Sequence, residues 1–334
     1  MKPSPLSRPV AGIVARGFAW LLVLWLTAWA AAALYFDLLS GSSLRTLAAS
    51  GYAIAMLGTL LAFRGRGKGI AICVAGFALV LAWWLTLKPS NDRAWQPDVA
   101  QTAWAEIIGD RVTIHNLRNC DYRTEGDYTP HWETRSFDLS QIRGMDIFFT
   151  YWGSPWIAHP IVSFQFGDHD HIAMSIETRK EVGEQYSAVR GFFRYYELIY
   201  TVSDERDVVR LRTNYRHGEE TYLYHTRATP EHARAVFLNY LERVNRIRNR
   251  PEWYNALTNN CTTNIATLTG EPQWDWRILL NGRADQMIYE RGDLATGNLP
   301  FAQLKQQAHI NPAAQAAGDA PDFSRRIREG RVGF

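Results

Sequence analysis

The first 88 residues alternate between long uncharged stretches and short charged breaks. Residues 17 to 36 lie between Arg16 and Asp37, residues 46 to 63 between Arg45 and Arg64, and residues 69 to 87 between Lys68 and Lys88. A helix crossing a bilayer core needs about 20 apolar residues, so each stretch predicts one transmembrane helix. A cleaved signal peptide fits only the first stretch, which is long, rich in Trp and without a small-residue cleavage site before Asp37.

Beyond Lys88 the apolar positions change period. Residues 89 to 104, broken by Pro89, Asn91, Asp92 and Pro97, predict a stalk. Alternating and β-branched runs then predict strands: a hairpin over 105 to 117 about Gly109-Asp110, and runs at 131 to 139 and 145 to 152. A pair follows at 160 to 166 and 171 to 177 around Gly167-Asp168-His169-Asp170, with further strands at 196 to 202, 207 to 212 and 220 to 226. After Thr229 the pattern turns helical. Thr229-Pro230-Glu231 is an N-cap and first turn, and Val236, Phe237, Tyr240, Leu241, Val244 and Ile247 recur at helical spacing up to Pro251. A second helix is predicted from Asn260 or Cys261 to Gly270, and a third over residues 275 to 290. Residues 105 to 290 form one domain on this reading, with 291 to 334 a C-terminal helix and loose tail. Strands followed by helices imply an α+β domain rather than a doubly wound sheet.

Charge adds an orientation. Lys2, Arg8 and Arg16 precede the first apolar stretch, and Arg64, Arg66 and Lys68 separate the second from the third, whereas the remaining loop holds only Asp37 and Arg45. Positive loops stay cytoplasmic, so the chain is expected to run in, out, in, out across a bacterial inner membrane and to deliver everything after Lys88 to the periplasm. Trp83 and Trp84 suit the outer interfacial belt. A net charge of +3 over 334 residues is too small to argue for a nucleic-acid partner.

Three cysteines occur: Cys73 in the third apolar stretch, and Cys120 and Cys261 in the outer domain. An oxidising compartment leaves the latter two as a disulfide, or Cys261 as a thiol kept because it reacts. Cys261 lies in Asn259-Asn260-Cys261-Thr262-Thr263-Asn264, a polar run that caps a short helix with Cys261, Ile265 and Leu268 on one face. Backbone amides at a helix start favour an anion there, which suits a thiolate nucleophile and an oxyanion donor at Asn260 or Cys261. A small buried hydrophobe and the sequon Asn260-Cys261-Thr262 are the alternatives. His171 opens a strand in which alternation puts His171, Ala173, Ser175 and Glu177 on one face; a polar surface turn is the competing reading. Asp168, His169, Asp170, His171 and His159 offer ligands for a metal, yet the run lacks the order of metallo-β-lactamases and of zinc proteases, and no metal or other cofactor is assigned. The aromatic run Tyr151-Trp152-Gly153-Ser154-Pro155-Trp156 suits either core or lipid contact.

Six runs together carry a family resemblance: Val112 to Tyr122 (VTIHNLRNCDY), His131 to Leu139 (HWETRSFDL), His159 to Phe166 (HPIVSFQF), His171 to Lys180 (HIAMSIETRK), Gly191 to Tyr200 (GFFRYYELIY) and Trp253 to Ile265 (WYNALTNNCTTNI). They resemble the periplasmic domain at the N-terminus of Lnb-type lipoprotein N-acyltransferases, over about residues 95 to 290. That family is similar to permuted papain-like enzymes of the NlpC and lecithin:retinol acyltransferase types, in which a strand-borne histidine precedes a helix-capping cysteine. The resemblance implies a permuted papain-like (NlpC-type) fold, Cys261 as nucleophile and His171 as base, with His159, Ser175 and Glu177 as candidates for the third, orienting residue. Lnb-like proteins typically have membrane helices after this domain; here three precede it.

The expected function is therefore a membrane-bound cysteine acyltransferase that moves an acyl group from a lipid ester, through a Cys261 thioester, to an amine. The resemblance implies a phospholipid or a lipoprotein's own diacylglyceryl group as donor and a lipoprotein N-terminus as acceptor. A cysteine peptidase or amidase acting on peptidoglycan stems is the alternative with the same nucleophile. A non-enzymatic binding module with a Cys120 to Cys261 disulfide is the alternative of another class.

Overall fold

In a computed structural model the chain is described except at residues 1–6, 39–40, 65–66, 169, 271–274 and 279–280. It divides into two units, residues 1–89 with 187–195, and residues 90–186 with 196–334.

The first unit contains helices α1 (Ser7–Asp37), α2 (Ser42–Ala62) and α3 (Gly67–Thr86), each with a segment long and apolar enough to cross a membrane. Small residues let them approach, as at Gly76, where a Cβ would lie 2.9 Å from the Met56 sulfur. Residues 187–195 pack on these helices: Phe193 is buried with Ala30, Ala33 and Val80, and Arg194 Nη1 donates to the carbonyls of Trp84 and Leu87 at 2.8 and 2.7 Å.

The second unit is built on one sheet. Its strands are β1 (Trp104–Ile108), β2 (Arg111–Arg118), β5 (Trp132–Asp138), β6 (Ile142–Trp152), β7 (Ala158–Phe166), β8 (Asp170–Arg179), β9 (Glu197–Asp204) and β10 (Glu219–His225), and a separate short ribbon pairs β3 (Asp121–Tyr122) with β4 (Tyr128–Thr129). The order is β1-β2-β9-β8-β7-β6-β10 with β5 on β2, and every pair but β2–β9 is antiparallel. Strands β6 to β9 are buried along nearly their whole length because both faces are covered. On one face lies α5 (Pro230–Asn249), whose Phe237 meets Phe164 and Phe166 at ring distances of 5.0 and 5.2 Å. Thr229 caps it by accepting from the His232 amide, as the Thr-Pro-Glu signature predicts. On the other face Phe148, Ile161 and Ala173 pack with Val208 and Val209 of α4 (Glu205–Arg210), with Ala314 of α9 (Asn311–Ala317) and with Phe323 of α10 (Phe323–Arg326). Three helices complete the unit: α6 (Cys261–Leu268), α7 (Ala284–Arg291) and α8 (Phe301–Ala308).

The α+β class expected from the sequence is what the chain adopts, with four local departures. The run at 207–212 is helix α4 followed by one π-helical turn, Leu211–Tyr215, because Asp204 caps the Arg206 amide just where β9 ends. The stalk is part of the folded unit: Trp95 and Val99 are buried against Ile199, and Trp95 bridges to Glu181. The helix expected at 275–290 is two short 3-10 turns and then α7. The loose tail is ordered instead: Phe323 and Ile327 are buried, and Arg328 forms hydrogen-bonded ion pairs with both Asp146 and Glu205. Of the aromatic run, Tyr151 is buried and Trp156 is 46 % exposed.

A second buried pair fixes the far end of α4. Asp207 accepts from Arg118 Nε and Nη2 at 3.0 and 2.7 Å and from the Cys120 amide at 2.7 Å. Replacing Asp207 by Ala strands the buried Arg118 charge, so urea unfolding of the outer domain in the full chain should show a loss of about 3–5 kcal/mol, largely recovered by Arg118→Met with Asp207→Leu. A single-variant loss below about 1 kcal/mol would mean that the pair does not anchor the domain.

Candidate active site

Cys261 is the first residue of α6, and the polar run around it works as scaffolding. The Asn260 side chain accepts from the Thr263 amide at 3.0 Å while Thr263 Oγ1 accepts from the Asn260 amide at 3.0 Å, a complete capping box. Asn260 Nδ2 donates to Ala256 O at 2.7 Å, Asn259 Nδ2 to Trp253 O at 2.8 Å, and Asn264 Oδ1 accepts from Tyr200 OH at 2.9 Å. With its side chain and amide engaged, Asn260 is the cap, and the Cys261 backbone N–H precedes the intrahelical ladder.

His159 and Cys261 come together. The Cys261 thiol is a neighbour of the His159 imidazole and helps to raise its pKa. On its other side His159 Nε2 is 2.7 Å from Ser175 Oγ and 3.1 Å from Glu177 Oε1. Ser175 donates its own proton to Glu177 Oε1 at 2.6 Å, so its oxygen is left to accept from the imidazole. Arg212, reaching in from the π-helical turn, donates to the same Glu177 oxygen at 2.9 Å and to Glu219 Oε2 at 3.2 Å. Burial disfavours charge on His159, but the Glu177 carboxylate overrides it and pushes the imidazole up to about 9. Burial likewise raises Glu177, and His159 and Arg212 outweigh it, holding the carboxyl well below its ordinary range.

Two of the three candidates for the third residue, Ser175 and Glu177, thus surround the imidazole of the other, His159, rather than that of His171. The expected contact between His171 and Cys261 is not formed. His171 pairs with Gln165 near the turn end of the β7–β8 hairpin, and Glu177 is six residues further along β8, about 20 Å at 3.3 Å per residue. His171 instead borders Glu205, whose carboxyl is raised by burial yet held at about 2 by Arg328 and His171. Cys120 and Cys261 are both free thiols, so no disulfide joins them. Burial, with Asp207 beside it, pushes the Cys120 thiol up to about 12. His169 lies outside the described residues, and among the described residues no three His, Cys, Asp or Glu side chains gather as a metal site.

Sequence reasoning missed five contributors. Arg212 was hidden inside a predicted strand. Asn281 joins the two halves of the pair: its Oδ1 accepts from the Ala158 amide at 2.9 Å, next to His159, and its Nδ2 donates to Thr262 Oγ1 at 2.7 Å, next to Cys261. Gly282 is required there, since a Cβ would fall 2.2 Å from the Pro155 carbonyl oxygen. Tyr254 and Tyr186 lie beside Cys261, and burial, with the thiol next to them, pushes both phenols up.

Residues 128–281 match the family model of the Lnb N-terminal periplasmic domain. The matched stretch lies within the outer domain, residues 187–195 aside. The matched span holds His159, Ser175, Glu177, Arg212, Cys261 and Asn281, and with three apolar helices before it the chain is a membrane protein whose C-terminal domain is periplasmic. No curated protein and no solved structure matches the chain.

The coupling of His159 to Glu177 has a measurable sign. His159 is raised from 6.5 and Glu177 lowered from 4.5, so the pair stabilises the fold fully between about pH 4.5 and 6.5. Its contribution falls as pH rises from 6.5 toward 9, and again in acid as Glu177 protonates. In Glu177→Gln, burial and Arg212 act on His159 against the Cys261 contact alone, and NMR titration should find the imidazole well below 9. A His159 pKa unchanged in that variant would contradict the assigned geometry.

Proposed function

We propose that the Lnb N-terminal domain is a cysteine acyltransferase, on a permuted papain-like plan, with Cys261 as nucleophile, His159 as base and Glu177 as the residue that fixes and charges the imidazole. The observation that carries the reading is the chain of contacts from the Cys261 thiol at a helix start, through His159, to Glu177 and Arg212. His159 takes the thiol proton as sulfur attacks the ester carbonyl of a lipid, and the developing oxyanion meets the Cys261 backbone N–H. The proton then passes from His159 to the departing alcohol, leaving a thioester. An amine, taken to be a lipoprotein N-terminus, attacks that carbonyl, gives its proton to His159 and releases Cys261 with the amide formed. Thioesters accept amines more readily than oxygen esters do, which suits a thiol to ester-to-amide transfer. No step calls for a cofactor.

The hydrolase alternative shares the nucleophile and replaces the amine by water. The binding-module alternative loses its support with Cys261 and Cys120 both free.

Intact mass of the full chain purified from membranes should show an acyl adduct on Cys261, absent in Cys261→Ala. Replacing His159 by Ala should slow acylation by roughly 10²- to 10⁴-fold, the contribution of a positioned general base. His171→Ala should leave the rate per folded molecule within about threefold, far less than removal of a general base would cost. A fully active His159→Ala protein, or no adduct from any phospholipid, would sink the acyl-transfer reading.

A further inference from the structure

Residues 187–195 lie in the connection between β8 and β9, yet they pack with the apolar helices and belong to the first unit. The chain therefore passes between the two units at three places, 89–90, 186–187 and 195–196. The segment extends down the helices rather than resting on their tips. Phe193 is buried with Ala30 and Ala33 of α1 and Val80 of α3, and its ring meets those of Trp29 and Phe36 at 6.1 and 5.2 Å. Ala30 is seven residues short of the end of α1 and Val80 six short of the end of α3. At 1.5 Å of rise per residue, Phe193 touches both helices roughly 10 Å inside their outer ends.

We propose that residues 187–195 insert into the periplasmic leaflet at the boundary between headgroups and acyl chains, with Val189 and Phe192 in the lipid, as a second membrane attachment of the outer domain. The proposal stands whether or not the acyl-transfer reading does. Non-helical backbone at membrane depth must satisfy its own polar groups. Here the Gly191, Phe192 and Phe193 amides donate to the Ser187, Val189 and Arg190 carbonyls at 3.1, 3.2 and 3.0 Å, and the Arg194 amide donates to Asp37 Oδ2 at 3.2 Å. The apolar side chains divide between two surroundings. Phe193 is enclosed by the helices, whereas Val189 and Phe192 are 55 and 42 % exposed. Single exposed hydrophobics are ordinary where the neighbour is water, but on a segment that runs down membrane-spanning helices the neighbour is lipid. Arg190 and Arg194 lie over the Tyr195 and Trp84 rings at 4.6 and 4.2 Å, the pairing of basic and aromatic groups that suits a membrane interface. A tether between β8 and β9, added to the one after α3, restricts how far the outer domain can swing from the bilayer.

The test uses the full chain in phospholipid nanodiscs, carrying Phe192→Cys with Cys261→Ser and labelled with bimane at residue 192, since Cys73 and Cys120 are buried. A nitroxide on the lipid acyl chain close to the headgroup should dim the label about threefold relative to unmodified lipid, and more than a nitroxide at the methyl end does, as burial of about 5–10 Å at the interface implies. Val189→Cys should give the same order of quenching and serves as the second site should the first variant fold poorly. A label at either position that neither lipid nitroxide dims, while iodide in the water quenches it freely, would overturn the proposal. Stronger quenching from the methyl end would overturn the interfacial depth.

Discussion

Glu177 is the fixed charge around which the site is arranged. Its Oε1 is shared by Ser175 at 2.6 Å, Arg212 at 2.9 Å and His159 at 3.1 Å. A guanidinium, an imidazole and a hydroxyl on one oxygen keep the carboxylate ionised in a setting that would otherwise protonate it. The ionised carboxylate in turn keeps His159 basic despite near-complete burial of the ring. Because 25 % of the Glu177 side chain remains exposed, this linkage sits at the edge of the domain rather than in its core.

The arrangement is inherited from the sheet. The β7–β8 hairpin pairs Ile161 with Ser175, and the same register carried outward puts His159 opposite Glu177. Alternation then points Ser175 and Glu177 to the face that carries the His159 ring. Asn281 locks the start of α6 to the start of β7, so the cysteine and the histidine, 102 residues apart in sequence, are set by two hydrogen bonds from one amide side chain. The outer domain closes with its last residues: Arg328 ties Asp146 of β6 to Glu205 of α4, and His171 belongs to that clamp.

Much of this was legible in the chain. Apolar stretches between charges mark the three membrane helices, the strand runs mark all eight strands of the main sheet, and Asn260-Cys261 marks the helix start. Even the histidine that neighbours Cys261 was within reach. Counting outward from the Gly167 turn pairs residue 159 with residue 177, whereas placing the histidine by its position at a strand start favours His171. What stayed hidden depends on tertiary contacts. Asp207-Val208-Val209 has the β-branched look of a strand, but Asp204 caps a helix there, and only the π-helical turn after it brings Arg212 to Glu177. The terminal residues have the composition of a tail, and they fold because Phe323, Ile327 and Arg328 find partners from distant strands and helices.

The central claim is that His159, not His171, stands beside Cys261, and disulfide trapping tests it without reference to activity. In the full chain with Cys120→Ser, the variant His159→Cys should form an intramolecular disulfide with Cys261 under mild oxidation, read as a mass loss reversed by reductant. The variant His171→Cys, about 20 Å away along β8, should stay reduced. A disulfide in the His171→Cys protein and none in the His159→Cys protein would contradict the account.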